Sequence, residues 1–142
     1  MKQNNKGWVV FIIDGIQMAI SKENIKQIAA RTSLTKINDE TYTSKEGWSI
    51  LRVNHQFLLG SKNQRRFALI IEALKAPIGL MCDDIQIMGA EENPTFIALP
   101  AIFTGFEGVA TGFLQFGENK LATIMDVTSL GILLENLEAK NG

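Results

Sequence analysis

The sequence predicts a mainly β fold, small antiparallel barrels with one C-terminal helix. Three observations carry this expectation. Strand-like runs recur about every eight to twelve residues, separated by turn signals, which is the spacing of small barrels and sandwiches. No βαβ alternation interrupts them, so a Rossmann-type sheet is disfavoured. A leucine stripe behind a capping aspartate closes the 142-residue chain.

Trp8–Ser21 reads as a hairpin, because Asp14-Gly15 supplies a short turn where glycine accepts positive φ without a Cβ penalty. Glu23–Ala30 has two readings, one or two helical turns capped by Ser21 or a bent strand. Residues 31–47 are polar, rich in Thr, Ser and Lys, and read as a mobile loop. Trp48–Val53 and Gln56–Leu59 form a second hairpin with Asn54-His55 at its turn. Gly60–Arg66 is a basic turn, and Arg65 and Arg66 are expected at the surface, where rim charges steer association. Phe67–Leu74 and Gly79–Met88 make a third hairpin across Lys75–Ile78; its nearly unbroken apolar strands predict burial on both faces.

Gly89–Pro94 is a polar connection, and Phe96–Leu99 reads as a short edge strand ended by Pro100. A loop carrying Gly105 and Gly108 leads to a fourth hairpin, Val109–Phe116 and Lys120–Met125, turned by Gly117-Glu118-Asn119. Asp126 then caps a helix over Val127–Ala139 with Leu130, Leu133, Leu134 and Leu137 on one stripe.

Hydrophobic residues make up 46% of the chain, ample for one core, and charged residues 20%. The net charge of −1 argues against a nucleic-acid binder acting through overall charge. No apolar run approaches the roughly 20 residues of a membrane helix. The opening Met-Lys-Gln-Asn-Asn-Lys lacks the apolar core of a signal peptide, so a soluble cytoplasmic domain is expected. Residues 1–66 hold 11 Lys and Arg against 5 Asp and Glu, net +6, and residues 67–142 hold 3 against 10, net −7. That asymmetry either steers two faces towards different partners or draws two sub-structures together.

Catalysis needs groups converging on one site, and the sequence offers no such set. The single histidine, His55, falls in a turn, where an exposed imidazole is ordinary. Asp83-Asp84 are strand neighbours whose side chains diverge, so solvated edges are expected there and at Glu91-Glu92 rather than a metal site. Gly105, Gly108 and Gly112 lack the Lys-Ser/Thr and the strand-to-helix context of a phosphate loop. Cys82 is the only cysteine, which excludes an internal disulfide, and an apolar strand makes its thiol a packing group. No enzyme, cofactor or metal is expected.

The order of motifs from Phe67 onward resembles the CheW-like domain of bacterial chemotaxis coupling proteins. The hydrophobic strand Phe67-Ala-Leu-Ile-Ile-Glu72, the turn at Lys75-Ala-Pro77 and Gly79-Leu-Met-Cys-Asp-Asp-Ile85 match the family's strand, turn and Gly-x-x-x-Asp-x-Val/Ile strand. Leu99-Pro100 and Val109-Ala-Thr-Gly112 resemble its "LP" step and glycine-entering strand, and Leu121–Leu130 its leucine-rich ending. Phe11–Ile20 resembles the opening hairpin, and Ile25-Lys-Gln-Ile28 the "V-x-E-I" step with Gln27 in place of glutamate. The linker segment "N-L-R-G-x-x-x-P-V-x-D-L-R" survives only as Leu51-Arg52; its glycine, proline and aspartate are gone.

The resemblance implies a single domain over residues 1–142. It consists of two small five-stranded antiparallel β-barrel subdomains packed together, intertwined and joined near residues 60–66, with the C-terminal helix. It further implies a non-enzymatic adaptor that meets the regulatory domain of a CheA-type histidine kinase and the cytoplasmic tip of a chemoreceptor, in flagellar or type IV pilus (twitching) signalling. Arg52 is the first partner-binding candidate, with the alternative that its stem lies along its own strand. Trp48 reads as an interface anchor or as core packing. Ile25 and Ile28 match receptor-facing positions, or pack into the core at a spacing of three. Gly79, Asp83 and Gly112 are expected to serve the fold. The different-class alternative is a regulatory β-barrel binding a small molecule or peptide.

Overall fold

The computed structural model describes residues 7–60, 65–88, 94–98 and 109–141. The Leu99-Pro100 step, the Gly105–Gly108 loop, the Glu91-Glu92 pair, and most of the polar connection and of the basic turn lie outside the described residues.

The first hairpin forms as expected from β1 (Trp8–Ile13) and β2 (Ile16–Ser21), and Asp14 and Gly15 both take positive φ in its turn. A 3-10 turn at Lys22–Asn24 then leads into β3 (Ile25–Ala30), so the strand reading holds and Ser21 makes no side-chain cap. The segment read as a loop instead supplies β4 (Thr35–Lys36) and β5 (Thr41–Thr43), which pair with each other. These strands are two and three residues long and bury a single aromatic, Tyr42, so no alternation marks them.

β6 (Ser49–Leu51) follows. The expected Asn54-His55 hairpin is a wider turn in which only Val53 and Leu59 bridge. The Asn54 side chain accepts hydrogen bonds from the Gln56 and Leu58 N–H groups, and Phe57 takes positive φ.

β7 (Phe67–Ile71) and β8 (Ile78–Cys82) pair antiparallel, but the run to Met88 is not one strand. It breaks at Asp83, and β9 (Asp84–Met88) crosses to pair with β1. The edge strand β10 (Thr95–Ala98), β11 (Ala110–Phe116) and β12 (Lys120–Met125) follow. Asp126 accepts the Ser129 N–H at 2.9 Å and so caps α1 (Val127–Asn141).

The strands form two sheets of six, ordered β10-β11-β12-β2-β1-β9 and β3-β7-β8-β6-β5-β4. Each carries one strand more than expected, and each contains one parallel contact, β2 with β12 and β6 with β8. The chain is laid out twice. In β1–β6 and again in β7–β12, a hairpin stays in one sheet while the next four strands enter the other. The chain therefore changes sheets at Lys22–Asn24 and at Asp83, while the stretch around 60–66 lies between these two topological halves.

Strands buried on both faces explain the unbroken apolar runs. Val9, Phe11, Ile13, Met18 and Ile20 of the first sheet meet Leu51, Leu69, Ile71, Leu80 and Cys82 of the second in one shared core. The alternate residues face each sheet's own interior: Val10, Ala19, Leu114, Phe116 and Ile124 in one, Tyr42, Ile50, Ile70 and Met81 in the other. From α1, Leu130 and Leu134 enter the shared core and Leu133 and Leu137 flank it. Gly79 and Gly112 are places of close approach: a Cβ on Gly79 would sit 2.9 Å from the Leu69 carbonyl, and one on Gly112 would sit 2.6 Å from that of Ile97.

Candidate functional site

The residues singled out for partner binding all lie on or beside the second sheet. Trp48 is set by the turn between β5 and β6. There the Ser44 N–H donates to the Trp48 carbonyl, the Trp48 N–H donates to Ser44 Oγ, and Gly47 takes positive φ. The indole is half-buried against Tyr42, Ile50, Ala68, Ile70 and Met81, so it packs on the core and still reaches the surface. Lys26 of β3 holds its ammonium 5.8 Å from the ring centroid.

Two clefts flank this turn. One, of about 280 Å³, runs from Trp48 and Ser49 past Ala76 and Pro77 to Glu135 and Glu138 of α1. The other, of about 290 Å³, lies between Gln27–Ala30 of β3 and Ser44–Glu46. Ile28 lines this second cleft and is 37% exposed, whereas Ile25 packs against the shared core. Trp48 and Ile28 are thus brought to opposite sides of one turn.

Arg52 lines neither cleft. Its backbone is pinned on both sides, N–H to the Glu40 carbonyl and carbonyl to the Gly60 N–H. Its side chain is half-buried, and Nε is buried without a hydrogen-bond partner among the described residues, as is Gln27 Oε1. Such atoms cost about 1–3 kcal/mol each when left unmet.

Arg65 overturns its expectation. It is fully buried and sits where the two sheets meet. Its Nη1 lies 2.9 Å from Asp14 of the β1–β2 turn and 2.9 Å from both carboxylate oxygens of Asp83, and Nη2 donates to the Val53 carbonyl. Asp14 also accepts the His55 backbone N–H and lies 3.1 Å from His55 Nδ1, while Asp83 accepts the Asp14 N–H. Asp83 is therefore not a solvated edge, and His55 is not a bystander in its turn.

The Arg65 hydrogen bond is the main cause holding the Asp14 carboxyl down at about 2, against the opposing effect of burial and with help from His55. Burial opposes the charge on Arg65, and the two aspartates outweigh it, raising its pKa. Nothing local announces this cluster, since its members lie on four separate segments. The one sequence signal is the Gly-x-x-x-Asp step of the resemblance, whose Asp83 is expected to serve the fold.

Among the described residues no group of three or more His, Cys, Asp or Glu could hold a metal ion, and no helix is long and apolar enough to cross a membrane. Burial pushes the Cys82 thiol well above its ordinary range, as a packing group requires.

No family model matches the chain, and neither does any curated relative. The fold is similar to the crystal structure of the scaffolding protein TtCheW from Thermoanaerobacter tengcongensis. The TM-score is 0.68 over 89% of this chain and 92% of that one, at 18% sequence identity. Two intertwined six-stranded sheets with a C-terminal helix, superposable on that scaffold over nearly its whole length, give this chain the CheW-like fold.

Proposed function

We propose that this chain is a non-enzymatic cytoplasmic adaptor coupling a CheA-type histidine kinase to methyl-accepting chemoreceptors, in flagellar or type IV pilus (twitching) chemosensory signalling. The observation that carries the reading is the CheW-like fold, shared over nearly the whole chain with a scaffolding protein. The two clefts flanking the β5–β6 turn supply the surface such a reading needs. The partners are the kinase's regulatory domain and the receptor's cytoplasmic tip. Trp48, Ile25, Ile28 and Arg52 are the contact residues, with Trp48 and Arg52 of the types that dominate interface energetics.

Titration of the purified protein against the kinase regulatory domain and the receptor tip tests this directly. Saturable binding to at least one is expected. No saturation of either at about 100 μM, a free energy weaker than roughly −5.5 kcal/mol, overturns the adaptor reading. Arg52→Ala is expected to weaken binding by about 1–3 kcal/mol without lowering stability. The reverse pattern, a destabilised protein that binds normally once folded, makes Arg52 a packing residue.

A further inference from the structure

The geometry points to the cleft beside Trp48 as a socket for an arginine side chain carried by a protein partner. The inference rests on the adaptor reading for the partner being a protein; the chemistry of the cleft stands without it.

Lys75 also lines the cleft, yet two electrostatic features of its glutamates remain unmet by any ion pair among the described residues. Glu135 and Glu138 are half-buried, so solvent screens them less than it screens surface charges. They stand three residues apart on one helix, where like charges face each other. Neither has an ion-pair partner among the described residues. Glu135 Oε2 accepts the backbone N–H of Lys75 at 3.2 Å rather than its ammonium, and Glu138 Oε2 accepts the Ser49 hydroxyl. One oxygen of each carboxylate is thus used for positioning, and the other is left over. A cation held between the two carboxylates relieves both features at once.

Shape narrows the choice of cation. At about 280 Å³ the cleft is at or below the small end of ligand pockets, enough for one side chain and too small for a cofactor. The Trp48 indole forms one wall and Pro77 and Ala76 add apolar surface. A guanidinium stacks on an indole and offers a fork of donors to two carboxylates, whereas an ammonium is a compact, strongly hydrated point charge. Leu74, next in sequence to the lining residue Lys75, is 75% exposed, an apolar neighbour for the residues flanking the arginine.

The test needs neither kinase nor receptor. With Trp8→Phe in the background, Trp48 is the one remaining tryptophan and reports on its own cleft. Acetylated, amidated tetra-arginine is titrated while Trp48 emission is followed, with tetra-citrulline as the neutral isostere. A saturable change is expected with arginine, at least fivefold weaker with citrulline. The Glu135→Gln/Glu138→Gln variant should lose at least fivefold, and Glu118→Gln in the distant β11–β12 turn should lose nothing.

Equal binding of both peptides, no loss in the double variant, or no saturable change overturns the socket. Should the double variant fail to fold, single Glu135→Gln carries the same comparison. Self-association of the free protein that the glutamine variants abolish would assign the cleft to a second copy and also overturn the proposal. Because the probe is a peptide, a failed socket leaves the adaptor titrations untouched, and failed titrations leave the socket standing.

Discussion

The turn between β1 and β2 and the connection between β7 and β8 occupy equivalent places in the two topological halves, yet they treat charge in opposite ways. The first is two residues long, and Asp14 in it is tied to buried Arg65, to His55 and, through its own N–H, to Asp83. The second spans residues 72–77 and packs against α1, where a Cβ on Gly131 would sit 3.2 Å from that of Ala73. Its own Glu72 pairs with Lys26 at 3.7 Å, whereas its glutamate neighbours Glu135 and Glu138 have hydrogen bonds but no ion-pair partner among the described residues. Charges supplied with partners at the meeting of two sheets hold the architecture together. Charges left half-met on an open cleft are available to something else.

The comparison breaks most visibly at Arg65. Arg65→Met leaves two aspartates facing each other at the junction and removes the donor to Val53, and should cost about 3–5 kcal/mol, as for a broken buried ion pair. Urea denaturation measures it, and a loss below about 1 kcal/mol would mean that the cluster is not what joins the sheets.

Acid sharpens the same point at a smaller scale. The folded-state pKa of Asp14, about 2, lies below its ordinary value, so its stabilisation is complete above about pH 4 and drains away as pH falls towards 2. The urea midpoint of the wild type should therefore fall across that window more steeply than that of Asp14→Asn. Parallel curves would show that Asp14 contributes little.

The smallest effect is expected at the cleft. Glu135→Gln/Glu138→Gln should change unfolding free energy by less than about 0.5 kcal/mol, because these carboxylates are not needed to hold two sheets together. A loss comparable to that of Arg65→Met would erase the distinction between the two turns.

Much of the fold was legible in local patterns. Asp14-Gly15 marked a turn, Gly117-Glu118-Asn119 another, and Asp126 with its leucine stripe announced the helix, because each depends on neighbours within a few residues. The strands β4 and β5 escaped because two- and three-residue strands carry no period, and pairing alone makes them strands. The candidate site was half legible. Trp48 and Ile28 were singled out by type and resemblance, and they do reach two clefts on one turn. Glu135 and Glu138 carry no local signal, because only the packing of α1 beside the β7–β8 connection places them in a cleft.

What the sequence determined alone is the class of object: many short β-runs with apolar residues on both faces, one capped helix, and a resemblance to a coupling fold. Only the tertiary structure decided where the charges belong. Arg65 looked like a solvated rim charge because its segment is basic and polar, and local composition is all that a sequence window sees. Its partners Asp14 and Asp83 arrive from other segments, delivered when β9 crosses from one sheet to the other at Asp83. Burial and pairing are properties of the assembled sheets, and a guanidinium without an apolar context of its own enters the interior only when two carboxylates are fixed there to receive it.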